Sequence, residues 1–169
     1  MKSVKFYKNS AIKLGSKVLK KTAIKGAEEM AITQEKLIEL LNMDLELEYS
    51  AAIQYINHAA VMTGAAYGDI IKELKIHATE EIQHAMTLCD QIDYLGAMPS
   101  VNVGKIQTSR DNEEMLRQDL DGQEDAIRRY KTRIEQAEQL KEFALAQQLR
   151  NILAIEQEHA MDLIQALGR

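Results

Sequence analysis

Four stretches of the chain place apolar residues at alternating steps of three and four, the spacing that lines one face of an α-helix. The first face carries Leu41, Leu45, Ala52, Tyr55 and Met62, and the second Leu74, Ala78, Ala85, Leu88, Ile92 and Leu95. The third carries Leu116, Leu120, Ile127, Tyr130 and Ala137, and the fourth Leu149, Leu153, Ala160, Leu163 and Leu167. Each face is interrupted near its middle by one polar residue: Glu48, Glu81, Gln123 and Glu156 in turn. A shift of 75 residues carries the first face onto the third and the second onto the fourth. The pattern predicts two copies of one helical hairpin, in which Glu48 corresponds to Gln123, Glu81 to Glu156 and Tyr55 to Tyr130.

Capping and turn residues set the expected ends. The first helix begins near Thr33, an N-cap with Glu35 in the first turn, and runs to about Thr63 before Gly64. Residues 64–68 form a short connection, Asp69 caps the second helix, and Gly96 follows its last residue, Leu95. Residues 96–110 hold the sole proline, Pro99, two glycines and no helical period, so they form the one long connection. Asp111 with Glu114 three later reads as a capping box for the third helix. The boundary between the third and fourth helices lies within 138–142, where there is no Gly or Pro and only the repeat locates it. The expected fold is all-α: a four-helix bundle of two antiparallel hairpins joined by a long crossover.

Composition narrows the class. A chain of 169 residues with 46% apolar residues can fill one core, while a single proline and no Trp argue against a turn-rich β fold. The lone Cys89 excludes an internal disulfide framework or a four-cysteine metal module and fits a reducing, cytoplasmic setting. No apolar run approaches the roughly 18 residues of a membrane span, and the N-terminus lacks the apolar segment of a secretory signal. The first 27 residues carry eight lysines and no acid, whereas the rest holds 13 basic against 26 acidic residues. Residues 1–30 are therefore expected to be a basic arm on a bundle spanning 31–169. Such an arm suits DNA phosphates, an anionic membrane or the acidic body itself. With no Arg, and only Phe6 and Tyr7 as aromatics, the plainer expectation is a solubilising terminus.

The polar interruptions carry the chemistry. A lone buried carboxylate costs several kcal/mol unless it is paired, and no Lys or Arg shares these faces. His84 and His159 each follow a glutamate by three and so lie beside it on the same face. Carboxylate oxygen and imidazole nitrogen suit iron or manganese, zinc also fits, and two carboxylates can bridge two ions. Gln123 either ligates through its neutral amide oxygen or hydrogen-bonds a buried carboxylate. Glu124, its neighbour, lies about 100° round the helix. Tyr55 and Tyr130 either pack or support the carboxylates, Cys89 is an inert thiol, and His58 and His77 are structural or surface residues.

Residues 41–55, Glu80–Ala85, Met115–Leu120 and Glu156–His159 together resemble the ferritin-like di-iron superfamily, including bacterioferritins and Dps-like ferritins. The resemblance covers about residues 33–167. It implies Glu48 and Gln123 as terminal ligands, Glu81 and Glu156 as bridging ligands, and His84 and His159 completing the two positions. The implied activity is ferroxidase: oxidation of Fe(II) by dioxygen or peroxide, in iron storage and detoxification. A peroxidase or manganese-catalase-like enzyme is one alternative, and a Dps-like DNA-binding protective shell with a weakened metal site is another. Ile82 stands where haem-binding bacterioferritins have an axial Met, so no haem is expected. The chain ends at Arg169 without the fifth helix used in large cages, so the expected homo-oligomer is a dimer or a Dps-like shell as readily as a cage. Gln123 replaces the expected Glu. Deleting residues 1–27 should leave melting and metal content unchanged, a large fall in melting temperature arguing that the arm packs on the bundle.

Overall fold

The computed structural model describes residues 32–168, and the basic arm expected over residues 1–30 lies outside them. Among the described residues four α-helices follow one another: α1 Gln34–Val61, α2 Gly68–Tyr94, α3 Asn112–Gln139 and α4 Phe143–Ala166. A 3-10 turn, Ala65–Tyr67, joins the first two, and no strand is present among the described residues. Side-chain pairs fix the directions. Gln34 at the start of α1 donates to the Leu95 carbonyl at the end of α2 (3.2 Å), so these two run antiparallel. α1 is likewise antiparallel to α3, with Asp44 against Arg133 and Thr63 against Asn112. The architecture is the expected bundle of two hairpins.

All four faces are the inner ones. Every residue of the first is buried, and elsewhere only Leu95, Ile127, Leu153 and Leu167, near the ends or flanks, are half-buried. At one end of the bundle Tyr55, Met62, Ile70, Leu74, Met115, Leu120 and Leu163 belong to one cluster. Among the described residues no helix is long and apolar enough to cross a membrane.

The helix ends show where local rules hold. Beyond α2, Gly96 (φ 85°) donates to Asp93 O and Ala97 to Ile92 O, the paired closing bonds of a glycine-terminated helix. α3 ends in the same bond pattern, with Lys141 to Glu138 O and Glu142 to Ala137 O, but here Lys141 occupies the left-handed position (φ 64°). That explains why no glycine marks this boundary. Asp69, expected as the cap of α2, instead sits inside the first turn and pairs with Lys72; Tyr67 holds the cap position without a side-chain bond. An acid in the first turn meets the positive end of the helix dipole without capping. At α3, Asp111 accepts from the Glu114 amide (2.8 Å), while the Glu114 carboxylate accepts from Gln118, so only half of the capping box forms.

The crossover is laced along α1. Ser100 N–H donates to Asn42 Oδ1 (2.7 Å), Gly104 N–H to Glu46 O (3.0 Å) and Gln107 N–H to Gln54 Oε1 (2.7 Å). Gly104 is required by closeness: a Cβ there would meet Ser50 Oγ at 2.8 Å, Leu47 Cδ2 at 3.2 Å and Glu46 O at 3.3 Å. Gly104→Ala should therefore destabilise by about 1–3 kcal/mol, measured as a lower urea midpoint. In a Ser50→Ala background the penalty should shrink, because the nearest obstructing atom is gone; an unchanged penalty would mean that the backbone contact decides.

Candidate metal centre

The four polar interruptions meet midway along the bundle. α1 supplies Glu48, α2 Glu81 and His84, α3 Gln123, and α4 Glu156 and His159; none is more than 3% exposed. His84 Nδ1 lies 3.0 Å from Glu81 Oε2, 3.0 Å from Glu156 Oε1 and 3.3 Å from Glu48 Oε2. One donor atom from each of these four residues falls within 4.8 Å of the others. His159 approaches from the other side, its Nδ1 3.3 Å from Glu81 Oε1 and 3.9 Å from Glu156 Oε2. Its Nε2 is held by the Glu80 carboxylate at 2.8 Å.

Both tyrosines serve the site. Tyr130 donates to Glu48 Oε1 (2.6 Å), and Tyr55 accepts from Gln123 Nε2 (2.7 Å), which also donates to Glu81 Oε1 (2.9 Å). Gln123 thus takes the hydrogen-bonding role in this arrangement. Glu124 is exposed, off the face, as its angle requires. His77, which the sequence left as structural or surface, is buried and stacks on His159 with ring centroids 4.0 Å apart.

Two polar clusters next to the site were not anticipated. Asp44, fully buried, accepts from Arg133 Nε (2.6 Å) and Arg129 Nη1 (2.7 Å). Asp119 faces His58 Nδ1 (2.8 Å) and accepts from Gln54 Nε2 (2.9 Å). The signal was present in the repeat, because the 75-residue shift maps Asp44 onto Asp119, His58 onto Arg133 and Gln54 onto Arg129. The arginines spend their charge on Asp44, leaving the central glutamates to the histidines.

Electrostatics follow from burial. Burial first, then the Glu156 and Glu81 charges, push the Glu48 carboxyl well above the usual range, and burial with Glu81 raises Glu156. Burial also works to raise Glu81, but bonds with His159, His84 and Glu48 outweigh it and hold that carboxyl low. Burial opposes charge on His84, yet Glu156, Glu48 and Glu81 lift its pKa to about 12. A cation would find these same three carboxylates around it and would displace protons on binding.

The donor set fits such a cation. His84 Nδ1 gives its hydrogen bond to Glu81, so Glu48 Oε2 and Glu156 Oε1 meet it only as ion pairs; these two oxygens, Glu156 Oε2 and Gln123 Oε1 are buried with no hydrogen bond of their own. Each orphaned acceptor costs about 1–3 kcal/mol, more if charged, against a net stability of about 5–15 kcal/mol for a domain. Such a cluster is tolerable where a positive ion can take up the lone pairs. Oxygen and imidazole donors without thiolate match first-row transition metals.

Comparison with known proteins gives a consistent picture. The family model of the ferritin-like domain matches residues 38–169. Curated bacterioferritins from Brucella melitensis (29% identical over 80% of this chain and 88% of theirs) and Streptomyces coelicolor (30%, 79% and 84%) are similar. Among solved structures, a ferritin-like, diiron-carboxylate protein from Bacillus anthracis is 32% identical with TM-score 0.77, covering 82% of this chain and 99% of its own. A dodecameric thioferritin from Bacteroides fragilis is 28% identical with TM-score 0.75, covering 88% and 93%.

Glu48→Gln is isosteric with a protonated Glu48. In chelator-treated protein the variant should stay within about 1 kcal/mol of the parent. Added Mn(II) or Zn(II), which stabilises the parent by mass action, should raise its melting temperature markedly less. A variant that melts far below its parent in chelator would show that Glu48 must be charged for folding.

Proposed function

The chain belongs to the ferritin-like family, and from that premise we propose that its central carboxylate and histidine set is a dinuclear iron centre with ferroxidase activity, serving iron storage and detoxification. The observation that carries the reading is the convergence of buried oxygens that lack a hydrogen bond, from Glu48, Glu156 and Gln123, beside Glu81, His84 and His159. The likeness to a diiron-carboxylate protein and to bacterioferritins supports it. Two transition-metal ions, if bound there, would supply the redox chemistry by which dioxygen or peroxide oxidises Fe(II). The same donors accommodate manganese or zinc, so iron is the assignment the family favours.

In this reading Glu81 and Glu156 would be shared between the two ions, Glu48 and Gln123 would hold one each, and His84 and His159 would complete the two positions. Tyr130 holds one Glu48 oxygen and leaves the other free to ligate. Glu80, hydrogen-bonded at Nε2, keeps the His159 Nδ1 lone pair aimed inward. A half-turn of the Gln123 amide would exchange its nitrogen for its oxygen at Glu81 and His159, an arrangement favoured only with a cation between them. A cavity of about 250 Å³, lined by Glu48, Tyr55, Gln123, Lys105, Asp121 and Asp125, gives small ions and oxidants a route between α1 and α3. Its acidic lining attracts Fe(II).

The outer side of the first hairpin supports self-association. Ile53, Ile56, Ile82 and Met86 are 42–59% exposed there, and a relative sharing this fold is a dodecamer. The eight lysines of residues 1–27 are the reason to keep DNA as an additional partner.

The two metal positions should differ. Four divalent-ion charges face only three carboxylates, and the ligand atoms that cluster within 4.8 Å are those around His84. Titration with Co(II) should show a tight ion on the His84 side and a weaker, easily chelated one on the His159 side. Glu81→Ala should remove both, and Glu124→Ala neither. Gln123→Glu should tighten the weak position and speed aerobic Fe(II) oxidation; equal affinities in the parent, or no response to Gln123→Glu, would reject the unequal centre.

A further inference from the structure

Beyond the central glutamates, α2 and α4 bring together a second set of donors. One atom each from Glu73, His77 and Asp162 lies within 4.8 Å of the others. Glu73 and His77 are one turn apart on α2, so both project from one side of it, and Asp162 faces them from α4. His77 is 2% exposed, its Nε2 is 3.2 Å from Asp162 Oδ2, and its Nδ1 has no hydrogen-bond partner. Glu73 and Asp162, half-buried, line an open pocket of about 410 Å³ together with Asp69 and Gln165. The pocket thus brings solvent to the two carboxylates that flank the buried imidazole.

The internal repeat shows that the fold does not require this set. The 75-residue shift maps Glu73 and His77 onto Gln148 and Ile152, and Asp162 back onto Thr87. Ile152 is 3% exposed, so at the corresponding place the bundle is filled by hydrocarbon. His77 keeps an aromatic contact by stacking on His159, and it differs from isoleucine in turning a nitrogen, Nε2, toward Asp162. Lys72, the cation next to Glu73, turns to Asp69 at 2.8 Å instead of neutralising the set.

We propose that Glu73, His77 and Asp162 form a further metal site, which takes a first-row divalent cation from solvent and holds it outside the dinuclear centre on the His159 side. Two donors each about 2.1 Å from one ion stand about 3 Å apart when they subtend a right angle, close to the observed 3.2 Å between His77 Nε2 and Asp162 Oδ2. Two carboxylates and a neutral imidazole balance the charge of a divalent ion. The ion would stand one imidazole stack away from the central site, because His77 lies on His159 at 4.0 Å.

The test is Co(II) titration of the full chain by calorimetry. Glu81→Ala, which empties the dinuclear centre under the reading above, should still bind one Co(II), and adding Asp162→Asn or Glu73→Gln should weaken that ion by about tenfold or more. In the parent the same two changes should leave both central ions in place. Binding of central ions with no response to either variant would overturn this site alone. Absence of any Co(II) binding in the parent would overturn both it and the dinuclear reading. Crystals of the parent soaked in Co(II) decide the matter without Glu81→Ala: an anomalous peak between Glu73 and Asp162 supports the site, and its absence there rejects it.

Discussion

Three carboxylates shut in the middle of an apolar bundle, with no lysine or arginine of the described residues among them, set the terms for the rest of this molecule. Glu48, Glu81 and Glu156 repel one another at low dielectric, and among the described residues only His84 and His159 supply positive charge at contact distance. The surrounding structure reads as what such a centre needs. Tyr130 and Gln123 fix oxygens, Glu80 orients a ring from outside, and apolar side chains such as Leu45 and Leu120 lie within a turn of the site. A core designed for stability alone would place leucine at these positions.

The internal two-fold relation organises the polar interior as well as the helices. In each half an aspartate one turn before the central polar residue is gripped by two side chains from the opposite hairpin. Asp44 takes Arg129 and Arg133, and Asp119 takes Gln54 and His58. The copies keep the geometry and exchange the charge. A buried aspartate held by two guanidinium groups is a firm ionic tie between α1 and α3, whereas the Asp119 cluster joins the same helices through an imidazole and a neutral amide. The departure of Gln123 from Glu48 belongs to the same pattern of matched positions carrying unequal charge.

Most of the fold was legible because a period of three and four over more than twenty residues leaves little choice of element. The six central residues were legible because polar residues on an apolar face conflict with burial. Other features were not, for physical reasons. Lys141 adopts a left-handed conformation that sequence associates with glycine, so the α3–α4 turn carried no signal. Asp69 and Glu114 have the right chemistry for caps, but pairing with Lys72 and Gln118 leaves them beside the helix end and not over it. The partners of Asp44 and Asp119 come from other helices, and pairing across 61 to 89 residues is invisible to a local window. Only the 75-residue shift, applied to polar as well as apolar positions, would have revealed them. The Gln123 hydrogen bonds depend on how one amide is turned, which no spacing encodes.

The crossover bears on how the molecule assembles. Its backbone amides at Ser100, Gly104 and Gln107 are tied to α1, which belongs to the hairpin it leaves, and not to the hairpin it enters. The first hairpin with its strap is thus one unit, carrying Glu48, Glu81 and His84, and the second carries Gln123, Glu156 and His159. Neither hairpin removes its acids from water alone. The desolvation penalty therefore falls where the two hairpins close on one another. It follows that a divalent cation captured by either half before closure lowers the barrier of that step, a dependence that stopped-flow refolding over a range of cation concentrations would register.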